Sequence, residues 1–204
     1  MKRLTLTAAV LAGLAACGDD SRSAAPSTLD PTITQVEFEI DYEAGAEPYT
    51  FSLLTLGSPW ELFETNVKAV YQDISPTILV PSELDEMQAF PADGVDEYDV
   101  DAIVAIAKVN RGTTTTATNR SFYVLFLDGY FRVDGVRDES VIGVSIGDTG
   151  IIAMFKPVYD AQTGASVVEQ TALIHEFGHA LGLVNKGVPL TSEHQDTQNG
   201  PHCL

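Results

Sequence analysis

Apolar and polar residues alternate singly near one end of this chain and recur every third or fourth position near the other. Val36, Phe38, Ile40 and Tyr42 alternate with Glu37, Glu39 and Asp41, the period of a half-buried strand. Ser58-Pro59-Trp60-Glu61 reads as a helix start, with Ser as cap, Pro at the first helical position and Glu closing a capping box. Leu62, Phe63, Val67, Val70 and Tyr71 form one apolar face behind it, so a helix is expected to about residue 72. Thr77 to Val80 is short and β-branched, a strand. Ser82 to Phe90 reads as a short helix with Leu84, Met87 and Phe90 on one side. Val100, Ile103, Ile106 and Ala107 fit another helix, although their Ile and Val content leaves a strand open. Arg111 to Arg120 is a polar loop to which no function is assigned. Ser121 to Leu127 is almost continuously apolar, as a central strand buried on both faces would be. Val141 to Ile146 and Ile151 to Phe155 are two more strands, joined by a turn at Gly147-Asp148-Thr149-Gly150. Val168, Thr171, Ile174, Gly178 and Leu181 then return to helical spacing. Ser166 and Glu169 match a capping box in front of them, and Gly182 is a natural stop. Strands interleaved with helices predict an α/β domain with a mixed sheet, beginning near Ile33.

The last helix carries the chemistry. His175-Glu176-Phe177-Gly178-His179 reads H-E-x-x-H. Histidines four residues apart project from one helix face, one turn apart, so both imidazoles reach a single tetrahedral metal ion. The Glu between them is placed to take a proton from a metal-bound water. Phe177, Gly178, Ala180 and Leu181 are apolar or small, so the helix is expected to be packed rather than solvated. Two histidines and a carboxylate on a packed helix need partners, and a metal ion supplies them.

His175 to Gly182, H-E-F-G-H-A-L-G, resembles the extended zinc motif of the metzincin metallopeptidases, H-E-x-x-H-x-x-G-x-x-H. The resemblance is specific from Val168 to Val184. It implies a zincin-like fold, in which a twisted mixed sheet packs on the metal-site helix, and a third zinc-binding His after the Gly. Asn185 stands at that position, and a neutral amide is a poor zinc ligand. His194 is a second choice, with Asp196 near enough in sequence to orient it. His202 is the third, and Cys203 follows it. A third His followed directly by Cys is similar to the archaemetzincins. Residues 184–201 would then be an insertion of the kind found in leishmanolysin-like metzincins. This favours His202 over His194, and both over Asn185. A gluzincin-like site would use Glu193, but Gly182 fits metzincins better. The Met-containing turn that metzincins carry beyond the third His has no counterpart, since the last Met is Met154. With Cys203 unpaired, this leads to the expectation that the domain of residues 33–204 is truncated at its C-terminus.

Charge and the N-terminus set the location. Among 204 residues, 29 acids face 11 Lys and Arg, for a formal net charge of −18. That argues against nucleic acid and anionic lipid surfaces as partners. Lys2 and Arg3 precede an apolar run from Leu4 to Ala16 that is too short to span a bilayer. It ends in Leu14-Ala15-Ala16-Cys17, which resembles a bacterial lipobox. Residues 1–17 are therefore expected to be a lipoprotein signal with lipid added at Cys17. Residues 18–32, rich in Gly, Asp, Ser, Ala and Pro, would be a flexible linker. The resemblance implies a cell-envelope protein held by lipid, with Gly18 after the Cys favouring the outer membrane or surface.

Two functions follow. One is a zinc-dependent endopeptidase acting on protein or peptide substrates, with zinc on His175, His179 and His202 (or His194) and Glu176 as general base. The other is a surface lipoprotein binding module whose zinc site is structural or vestigial. A structural site closes with four protein ligands and needs no base. Glu176 and the lack of a thiolate cluster favour the enzyme.

Overall fold

A computed structural model describes residues 29–52, 57–92 and 94–182. Along the chain it contains strand β1 (Gln35–Glu43), helix α1 (Pro59–Val70) and strand β2 (Thr77–Leu79). A 3₁₀ turn at Leu84–Glu86 leads into β3 (Gln88–Phe90) and β4 (Glu97–Tyr98). Helix α2 (Val100–Asn110) precedes β5 (Asn119–Leu127), β6 (Tyr130–Val133), β7 (Val136–Asp138) and β8 (Gly143–Ile146). Strand β9 (Ile151–Phe155), the short helix α3 (Lys156–Asp160) and helix α4 (Ala165–Ala180) complete the described chain.

The main sheet runs β2-β1-β5-β9-β8, with β3 also paired to β1. Strands β1, β2, β3, β5 and β9 are mutually parallel, and β8 alone runs antiparallel. The chain is thus α/β with a mixed sheet, as the alternation of patterns predicts. Strand β5 lies at its centre with eight buried residues, Arg120 to Leu127, which is why its sequence is nearly all apolar. Its even positions, Phe122, Val124 and Phe126, enter the core shared with α1 and α4. Its odd positions, Tyr123, Leu125 and Leu127, enter the core shared with α2. Layers therefore cover both faces of the sheet.

Helix α1 forms as its sequence dictates. Ser58 Oγ accepts from the Trp60 amide at 3.2 Å, Pro59 opens the helix, and Trp60, Phe63 and Val67 are buried. It ends at Val70, two residues short of the expected stop. Phe63, Phe38, Phe122 and Phe177 then meet in one cluster with ring centroids 5.0–5.7 Å apart. Contacts of this kind contribute roughly 0.5–1.5 kcal/mol each beyond burial and fix α4 on the sheet.

Three expectations need correction, and one element was unforeseen. Ser82 to Phe90 is not a helix. Only Leu84–Glu86 turns, and Gln88–Phe90 pairs with Asp41–Glu43 as a strand. Strand pairing with β1 outweighs a weak three-residue periodicity. The half-buried alternation of β1 holds through Ile40, with Glu37 and Glu39 partly exposed, but fails beyond it, where Asp41 and Glu43 are 1% and 2% exposed. Asn119 donates to Glu37, Gly112 and Thr113 amides to Glu39, the Tyr123 hydroxyl to Asp41, and the Tyr98 hydroxyl to Glu43. The polar loop after α2 is thereby clamped against the sheet. A second sheet, β4-β6-β7, was not expected. Finally, α4 starts at Ala165 behind Gly164, whose φ of +79° supplies the turn in place of a Ser166 cap.

Candidate metal centre

Helix α4 owes its position to long-range partners of the two residues that resembled a cap. The Ser166 hydroxyl lies 3.1 Å from that of Ser52. Glu169 is 2% exposed and its Oε1 accepts from the Tyr49 amide at 2.9 Å. Burial pushes its carboxyl up to about 7. Gln170 donates to the Pro59 carbonyl at the head of α1. At the other end, Leu181 N donates to Phe177 O, and Gly182, at φ +73°, donates to His179 O. This is the left-handed stop that the Gly predicts.

Between these ends the helix presents His175 and His179 on one face. Their Nε2 atoms are 3.0 Å apart and their rings cross at 76° with centroids 4.7 Å apart. A contact of that length holds one proton or one metal ion. Two nitrogens bound tetrahedrally at ~2.0–2.1 Å would stand ~3.3 Å apart, so the pair fits a zinc-like ion with almost no movement. Burial and the neighbouring His175 push the His179 imidazole below its ordinary value, so it is neutral near pH 7, as a ligand must be. Glu176 offers a carboxylate oxygen within 4.8 Å of both imidazoles, in reach of the same ion directly or through one water. It is only 9% exposed, and burial pushes its carboxyl up to about 7, while the Ser145 amide pulls the other way.

Strand β8 runs beside this cluster as the edge of the main sheet. Gly143 allows the approach. A Cβ there would stand 2.8 Å from Met154 Sδ and 3.0 Å from Glu176 Cγ. A groove of about 640 Å³ opens between β8 and α4, walled by Val141, Ile142, Val168, Thr171 and Ala172 and ending at His175 and Glu176. Sequence reasoning found the strand but not its role in the site. The signal was present in Val-Ile-Gly-Val, since a Gly inside an apolar strand marks a close neighbour.

Of the residues expected from sequence, His175, Glu176 and His179 come together. His194, His202, Asn185, Cys203 and Cys17 lie outside the described residues. No helix among the described residues is long and apolar enough to cross a membrane. Comparison with protein-family models, with curated proteins and with solved structures gives no match for this chain.

Proposed function

We propose that this chain is a zinc-dependent endopeptidase of metzincin-like, zincin-type architecture. The observation that carries the reading is Glu176, a buried carboxylate beside two convergent imidazoles at the end of an open groove. His175 and His179 would hold the ion, with His202 or His194 as third ligand. Zinc so held supplies Lewis acidity, lowering the pKa of water and polarising a carbonyl. Glu176 then acts as general base, taking the proton of the attacking water and passing it to the leaving amine. The outer edge of β8 has no strand beside it among the described residues, so an extended peptide can add there by backbone hydrogen bonds. Such a strand would pass Glu176, and the apolar groove would take one of its side chains. A purified chain should contain about one zinc, and the His175→Ala/His179→Ala variant should contain none. Undiminished zinc in that variant would show that α4 is not the site.

The same reading places the protein in the bacterial cell envelope, anchored by lipid on Cys17, with its charge keeping nucleic acid away. The full chain should partition with membranes and Cys17→Ser should not. A Cys17→Ser protein that stays in the membrane fraction contradicts the anchor.

A further inference from the structure

Strand β1 is left unpaired along part of its outer edge. Gln35–Glu37 pairs with β2 and Asp41–Glu43 with β3, so among the described residues no strand lies beside Phe38, Glu39 and Ile40 on that side. The chain linking β2 to β3 walls off a cavity of about 710 Å³ there. Five acids line it, Glu37, Glu39 and Asp41 from β1 and Asp85 and Glu86 from the turn before β3, and no Lys or Arg does. Arg111, two residues before Thr113 of the wall, donates instead to the carbonyls of Thr149 and Ser121.

One of these acids is short of a donor. Glu37 accepts from Asn119, Glu39 from the Gly112 and Thr113 amides, and Glu86 from the Ser82 and Glu83 amides. Asp41 is 1% exposed and its Oδ2 accepts from the Tyr123 hydroxyl at 2.5 Å. Its Oδ1 is buried with no hydrogen-bond partner among the described residues. Burial pushes the Asp41 carboxyl up to about 6, the Tyr123 hydroxyl pulls the other way and Glu39 adds to the rise, so above neutral pH it is ionised. A buried anionic oxygen with nothing donating to it is costly, and a cation in the cavity it borders would supply the donor.

We infer that this cavity binds an alkyl diamine, with one ammonium on Asp41 Oδ1 and the other on the acids further along the wall. Spacing selects the class. Alternate residues of a strand stand ~6.6 Å apart, so Glu37, Glu39 and Asp41 form a row ~13 Å long and not a cluster. Among the described residues the only acid or histidine group whose ligand atoms all lie within 4.8 Å of one another is His175, Glu176 and His179. A single metal ion therefore lacks converging ligands in this cavity, whereas two charges joined by a methylene chain match a row of acids. Val80, Pro81 and Met87 give the wall apolar surface for that chain. The cavity shares no lining residue with the groove at His175 and Glu176 and does not depend on the metal reading.

The test is thermal unfolding of the full chain at mildly alkaline pH, titrated separately with putrescine, butylamine and magnesium chloride at matched ionic strength. Magnesium is the control for charge alone, because a chain at −18 attracts any divalent cation. The midpoint should rise saturably with putrescine, at concentrations at least tenfold lower than with butylamine or magnesium. Asp41→Asn keeps an oxygen for the Tyr123 hydroxyl but not the charge, and should abolish the preference for putrescine. Asp85→Asn, at an exposed position, should weaken apparent binding at least threefold. Glu139→Gln removes an exposed acid outside the cavity and should change nothing. Zinc content should be the same in all of them. If butylamine or magnesium matches putrescine, or if Asp85→Asn, and Asp41→Asn where it folds, respond as wild type does, the site does not exist and Asp41 is only a buried acid held by Tyr123.

Discussion

At the scale of single residues, the account turns on which carboxylates are buried. Glu169 is the deepest in α4, and its role was hidden in the sequence behind an apparent capping box. The motif S-x-x-E is local, whereas the groups that claim Ser166 and Glu169, Ser52 and the Tyr49 amide, lie more than 110 residues away in the chain. Sequence spacing cannot report such a partner. His175, Glu176 and His179 were legible because their geometry is set within one and a half turns of helix. The Glu169 carboxyl has a measurable consequence. Its folded value is raised from 4.5 to about 7, so the folded state holds the proton more tightly. Its contribution to stability is full below pH 4.5 and is lost as the pH rises through 7, by on the order of 3 kcal/mol. Glu169→Gln keeps an oxygen for the Tyr49 amide and does not titrate. Unfolding free energies between pH 4.5 and 8 should therefore show wild type losing stability relative to the variant. Parallel profiles would show that Glu169 is not the titrating group.

At the scale of elements, periodicity predicted those that bury a continuous face and missed those defined by pairing. Strand β5 and helices α1 and α4 were legible for that reason. Strand β3 was not, because Leu84, Met87 and Phe90 also match a helical repeat and only β1 decides between the two. The β6-β7 hairpin carries a local signal, Asp134-Gly135, whose φ values of +51° and +80° are those of a two-residue turn. That signal is a turn rather than an apolar period, so a reading built on periodicity passes over it. The junction of β8 with α4 is the element-level feature on which the site depends. Gly143→Ala would drive a methyl into Met154 and Glu176, and one of these must give. The expected cost is roughly 1–3 kcal/mol by urea unfolding, the usual range for overpacking. A variant as stable as wild type would mean that β8 can slide away from α4, and that Glu176 is not held as described.

At the scale of the whole molecule, the topology explains why a helix near the end of the described chain can work with a strand some thirty residues before it. The three inner strands, β1, β5 and β9, build a sheet covered on both faces, and β8 turns back as its edge, so α4 lies across the core and along that edge at once. None of this order is written in any one segment; it emerges from which strands pair. The central claim is that His175, Glu176 and His179 form a hydrolytic centre and not a structural metal site. The most direct measurement is hydrolysis of an unstructured protein such as casein by zinc-loaded wild type and by Glu176→Gln at equal zinc content. We expect wild type to cleave, and the variant to keep its zinc and fold while cleaving at least ~100-fold more slowly, the scale of a positioned general base. Equal rates in the two proteins, or a wild type that holds zinc, loses its fold on chelation and cleaves nothing, would contradict the account.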